Sequence, residues 1–108
     1  MDPKDPIEVS ERSLPAATEI LSALAHATRL KVYMELLASL PDGKASGDIA
    51  ADTGTPPTTM SAHLAVLMRA GLVSTERRGK SIIYTADATP ARRLAKLFGS
   101  AAGSAVSS

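Results

Sequence analysis

The stretch ASGDIAADTGTPPTTMSAHLAVLMRAGLV, residues 45–73, cannot run as one helix. Gly54 tolerates a left-handed backbone and suits the position just past a helix end. Pro56 and Pro57 lack an N–H and suit only a first helical turn. The chain must therefore stop one helix and start another across a tight turn. The first is short, starting near Ser46 and closed by Gly54. The second spans 57–70, with Thr55 or a neighbour as its expected cap. It sets Leu64, Leu67 and Leu72 close to one face and stops at Gly71. Two such helices form a helix-turn-helix.

The flanking segments extend the pattern. From about Pro15, Ala17, Ile20, Leu21 and Leu24 repeat at the spacing of one helical face. A second helix follows over about Thr28–Leu40, with Leu30, Tyr33, Met34 and Leu37 in register, and PDG at 41–43 ends it. After Gly71 comes LVSTERRGKSIIYTAD, rich in β-branched residues, with Gly79 in a polar tip. It predicts a hairpin over 73–86 with Arg77, Arg78 and Lys80 at its turn. A last helix is expected over about Pro90–Phe98. Residues 1–13, rich in Pro and charge, are expected to form a flexible arm, and 99–108 a disordered tail of small residues. The result is a mainly α domain with a small β-hairpin over 14–98. Four helices, two strands and a fifth helix, in that order, make a winged helix-turn-helix.

Composition removes several function classes. The chain has 108 residues, 44% of them apolar, which suits one core. No apolar run approaches the roughly 18 residues of a membrane span, so a cytoplasmic protein is expected. There is no cysteine, which excludes disulfides, thiolate metal sites and cysteine nucleophiles. Only Tyr33, Tyr84 and Phe98 are aromatic, too few for a base-stacking platform. No Gly-rich phosphate loop or paired-carboxylate motif appears, so neither an enzyme nor a cofactor is expected. Ser61 and His63 stand two residues apart on one helix, so they point apart and cannot act as nucleophile and base.

Net charge is +1, but it is divided. Residues 1–52 hold five Lys/Arg against nine Asp/Glu, a net of −4. Residues 53–108 hold seven against two, a net of +5. A basic second half fits a polyanionic partner, or charge clustered on a solvated surface. Thr58, Thr59, Ser61 and His63 crowd the helix start, where Ala, Leu or Glu would stabilise more. Their side chains can meet base edges and phosphates in a major groove, beside the positive end of the helix dipole. They can equally serve as caps, and His63 as a half-buried packing residue. The hairpin cations can reach phosphate, or keep an edge strand from aggregating.

The segments LAHATRLKVYMELL (24–37), GDIAADTG (47–54), TMSAHLAVLMRAGLV (59–73) and RRGKSIIYTAD (77–87) closely resemble the ArsR/SmtB family of bacterial winged-helix repressors. The resemblance covers about residues 14–98 and is carried most specifically by S-x-H-L-x-x-L-x-x-A-G-L-V, Ser61 to Val73. It implies a homodimer joined through the first and last helices, an inverted-repeat double-stranded DNA operator, and release by an inducer. It places Thr58, Thr59, Ser61, Ala62 and His63 against DNA, with Arg77, Arg78 and Lys80 as the wing. The implied dimer seam is Leu14, Ile20, Leu21, Leu24, Leu94, Leu97 and Phe98. The competing reading of the fold is a winged-helix module for protein–protein contact.

Departures from the family concern sensing. Many members bind metal or metalloid through cysteines in the helix before the recognition helix; here that segment is SGDIAAD. Others place His and carboxylates on the last helices, but residues 88–108 hold no His, Asp or Glu. A further branch carries adjacent cysteines after the last helix, where this chain has Ser100, Ala101 and Ala102. The family's common Asp-Pro is replaced by His26-Ala27, so His26 reads as a helix-start residue. The inducer is left open: an organic molecule, a partner protein, or none. Soft ions select sulfur, so arsenite and cadmium at micromolar levels are expected to leave the operator complex intact. Operator titrations with each ion, and with zinc, repeated with a chelator, check this. Reversible release by arsenite or cadmium at stoichiometric levels would overturn it, and zinc release abolished by His63→Ala would assign an imidazole site instead.

Overall fold

The computed structural model describes residues 13–106. Its elements run α1 (Ser13–Leu24), α2 (Ala27–Ala38), β1 (Lys44–Ala45), α3 (Ser46–Thr53), α4 (Pro57–Arg69), β2 (Val73–Arg78), β3 (Ser81–Ala86) and α5 (Thr89–Val106). The fold is mostly helical with a small antiparallel sheet, as the punctuation of the sequence requires.

The core is built from one stripe of each central helix. Val32 and Leu36 of α2, Ile49 of α3, and Met60, Leu64 and Leu67 of α4 are fully buried, with Leu72 just beyond. Their spacing of three and four residues keeps each set on one helical face. Among the described residues no charged side chain is buried, and the polar group carried into the core is the Tyr33 hydroxyl. Tyr33 is buried to 3% exposure, and its hydroxyl donates to the Asp87 carbonyl at 2.7 Å. That bond ties α2 to the chain between β3 and α5, and burial raises the phenol pKa.

The turn between α3 and α4 is made as its residues demand. Gly54 takes the left-handed conformation (φ 64°, ψ 27°) that closes α3. Thr55 N–H then donates back to the Ala50 carbonyl at 3.0 Å. The expected Thr55 cap is not used. Pro56 occupies the cap position of α4 with no side-chain bond, and Thr55 Oγ1 lies 2.9 Å from Thr53 Oγ1 instead.

Three features differ from the sequence reading. First, the sheet has three strands in the order β1-β3-β2, not two. Lys44 and Ala45 pair antiparallel with Tyr84 and Ile83. A two-residue strand carries no periodic signal, and its pairing depends on residues some forty positions away. Gly43 makes the approach possible: at φ +74° a Cβ would stand 2.5 Å from the Tyr84 carbonyl oxygen. Second, α2 ends at Ala38 rather than Leu40, because Ser39 Oγ and its N–H turn back onto the helix carbonyls.

Third, α5 does not stop at Phe98 before a disordered tail. It continues through Gly99 to Val106, about 27 Å in all. Ala101, Ala102 and Ala105 are the best helix formers, and the helix runs on although Gly99 and Gly103 are each about 1 kcal/mol less favourable than alanine. Its first turns pack on the body, through Pro90, Ala91 and Leu94, while residues 98–103 are exposed. The expected arm, 1–13, lies outside the described residues except for Ser13, which opens α1.

Leu64 sits at 0% exposure where α4 meets the body. Leu64→Ala is expected to lower stability by about 2–5 kcal/mol, the range for a buried leucine that leaves a cavity. Urea denaturation without DNA checks it, and a loss below about 1 kcal/mol would mean that the site collapses around the smaller residue.

Candidate nucleic-acid interface

Burial of Met60, Leu64 and Leu67 decides which side of α4 meets solvent. Thr58, Thr59, Ser61 and Ala62 are all exposed on the opposite side of its first two turns. Pro56 holds the cap position without a capping bond, so the helix does not use these hydroxyls as its cap. Among the described residues, Thr58, Thr59 and Ser61 make no side-chain hydrogen bond. Their donors and acceptors are available to a ligand, as are the free N–H groups of the first turn.

His63 takes the packing position, the second of its two readings, and not the DNA-facing one that the family resemblance implies. It follows buried Met60 by three residues and precedes buried Leu67 by four, which puts it on the flank of the apolar stripe. It is half-buried and faces the start of α2. Its ring centroid lies 4.5 Å from that of His26, at 52°. Its Nδ1 lies 3.4 Å from Arg29 Nη1; arginine only donates, so Nδ1 accepts. Desolvation, then His26 and Arg29, lower the His63 pKa from 6.5. His26 is the N-cap of α2, and its Nδ1 accepts from the Thr28 N–H at 3.2 Å. Arg29 was not singled out by any sequence pattern, since its partners lie on two other helices. The helical spacing of His63 to Met60 and Leu67 was the signal that could have moved it off the outward face.

The hairpin presents its cations at the tip, beside the turn at Gly79. Arg77, Arg78 and Lys80 are all exposed. Arg77 pairs across the ladder with Ile82 and Arg78 with Ser81, so the two guanidinium groups leave opposite faces of the ribbon. Arg78 Nη2 contacts Glu76 Oε1 at 3.2 Å, an exposed pair of small energetic weight. Arg77 and Lys80 have no ion pair among the described residues.

The proposed seam residues divide. Leu14, Leu21 and Phe98 are exposed, at 42%, 40% and 54%. Leu97 is half-buried, and Leu24 and Leu94 pack partly against the core. Ile20 is 8% exposed and belongs to the core, because it turns inward beside Ala17 and Ala23. It is not part of an outward stripe.

A family-type metal site does not fit these residues. The chain has no thiolate, and the neighbour that completes the His26–His63 pair is the Arg29 guanidinium, which repels a cation. Among the described residues no three His, Asp or Glu side chains gather to hold an ion. No described helix is long and apolar enough to cross a membrane.

A helix-turn-helix with an open, hydroxyl-lined helix start and a cationic hairpin beside it defines a winged-helix protein. Residues 24–76 match the model of a helix-turn-helix domain. The chain is 37% identical over 97 residues to the biofilm growth-associated repressor of Agrobacterium fabrum, covering 82% of this chain and 80% of that one. It is 28% identical over 93 residues to the transcriptional activator HlyU of Vibrio cholerae, covering 85% and 82%. A solution structure from Mycobacterium bovis superposes with a TM-score of 0.67 at 30% identity, over 89% of this chain and 90% of that one. It is described as a homodimeric winged helix-turn-helix DNA-binding domain of a possible ArsR-family regulator. The chain belongs to the ArsR/SmtB family of winged-helix, DNA-binding transcriptional regulators. Such regulators are not enzymes.

Proposed function

We propose that the chain is a homodimeric repressor of an inverted-repeat operator, acting in the cytoplasm. Thr58, Thr59, Ser61 and Ala62 of α4 contact the major groove, and Arg77, Arg78 and Lys80 contact backbone phosphate or the minor groove. The observation that carries this is the start of α4: three exposed hydroxyls, not used as caps, on a helix whose other face is sealed in the core. A helix start optimised only for stability would cap itself. The name of the Agrobacterium relative supports repression, while that of the Vibrio relative is an activator. A promoter–reporter assay with and without the protein decides the sign, and higher expression with the protein would overturn repression.

The partner is a second copy. Leu14 and Leu21 of α1 and Phe98 of α5 form apolar surface beside half-buried Leu24, Leu94 and Leu97. A two-fold axis lets both copies cover this surface with one self-complementary contact. Light scattering at micromolar concentration is expected to give a dimer, and Phe98→Glu to shift it toward monomer. A wild-type monomer would overturn the arrangement.

Dimer symmetry then sets the DNA geometry. Two α4 helices are expected to enter major grooves about 34 Å apart, one turn of duplex. Selection from random duplexes is expected to return an imperfect palindrome, and a single asymmetric half-site would count against the model. Arg77→Ala and Lys80→Ala are each expected to weaken all duplexes alike and to lower the salt slope by about one. Binding without any salt dependence would leave the winged helix as a protein-contact module.

A further inference from the structure

Arg29 joins three helices with one side chain. It stands in the first turn of α2. Its Nε donates to the Ala23 carbonyl at 2.6 Å, in the last turn of α1, where carbonyls lack helical partners and a cation is favoured. Its Nη1 reaches His63 Nδ1 on α4 at 3.4 Å. The His26 ring closes the other side of His63. We propose that Arg29 is a positioning residue for the DNA-contacting helix, acting through His63, and that acid undocks that helix by protonating His63. This rests on the reading of α4 as the DNA-contacting element.

The chemistry of the junction is one-sided. Both Nδ1 atoms accept: His63 from Arg29, and His26 from the Thr28 N–H. Protonation of His63 turns its acceptor into a donor. That sets a donor and a new positive charge against the guanidinium. The charged or titratable groups at the junction are His26 and Arg29 from α2 and His63 from α4. Beyond Arg29, Glu19 of α1 and Arg69 of α4 line an open cleft of about 550 Å³ with it. Neither ion pair among the described residues involves a histidine, so among those residues no carboxylate stands at salt-bridge distance from the new charge.

The docked arrangement therefore favours neutral His63, in agreement with its lowered pKa. Stabilisation is fully present above the free-imidazole value of about 6.5 and is lost as pH falls below it toward the depressed value. If the docked state excludes the proton, docking weakens by up to about tenfold at a pH one unit below 6.5. Acid normally acts the other way on duplex binding, because added positive charge strengthens phosphate contacts.

That opposition supplies the test. Affinity for a duplex selected at about pH 7.5, and for a scrambled duplex of equal length, is measured down to about pH 5.5. Each protein is normalised to its own value at the higher pH. The wild type is expected to lose up to about tenfold on the selected duplex and nothing on the scrambled one. The double variant His26→Asn, His63→Gln keeps a cap and an acceptor but does not titrate, and is expected to change by less than about twofold. Arg29→Lys keeps the charge but not the fork, and is expected to weaken the selected duplex more than the scrambled one. Melting without DNA, and NMR titration of the His63 ring, read the docking itself. The wild type is expected to lose more melting temperature on acidification than the double variant. Should the double variant not fold, His63→Gln alone is compared in the same way. Superimposable pH profiles of wild type and variant, or a wild-type affinity for the selected duplex that rises with acid, would overturn the proposal. Failure to select any duplex would defeat the DNA reading instead, and the DNA-free melts would still decide the docking.

Discussion

Met60, Leu64 and Leu67 are sealed on one side of α4, and the use of its other side follows from that. A helix of thirteen residues with one face fully buried has no rotational freedom. Thr58, Thr59, Ser61 and Ala62 then point outward because the apolar stripe points inward. Pro56 at the cap position has no side-chain acceptor, so the N–H groups of Thr58 and Thr59 stay open beside their hydroxyls. Core packing and readiness to bind are two consequences of one periodicity.

The hairpin depends on the same core through different contacts. Val73 and Ala86 at its base are buried and paired across the ladder, while the residues from Ser74 to Lys80 are exposed. The Tyr33 hydroxyl holds the chain just after β3, and β1 adds a third strand on the far side of β3. Lys44, in that strand, reaches Asp52 of α3 at 2.8 Å, which links the sheet to the helix-turn-helix. The tip is thus carried on a braced base, and its cations stand at a defined place relative to α4.

Much of this was legible in the chain. The break at Gly54-Thr55-Pro56-Pro57 dictates a helix-turn-helix locally, because glycine and proline act on the residues beside them. The helical stripes and the β-branched hairpin are likewise short-range patterns, and each element appeared near its expected place. Three things were not legible. β1 is too short to show a period and exists only because β3 is beside it. The length of α5 turned on whether alanines or glycines dominate a tail of mixed propensity. Ile20 and Leu21 are neighbours with equal hydrophobicity, and only the packing of α1 on the body decides that Ile20 goes in and Leu21 stays out.

His63 states the division most clearly. Local patterns in the chain already specify a winged helix-turn-helix, a basic second half, the absence of thiolates, and a run of small polar side chains at the start of α4. Those are matters of residue type and of spacing within a few positions. The tertiary structure alone decided which members of that run are free. It left three hydroxyls exposed and drew the imidazole against His26 and Arg29, residues 37 and 34 positions away in the chain. The physical reason is that a helix reports its own face through its period, but the element covering that face is chosen by how all the helices pack together.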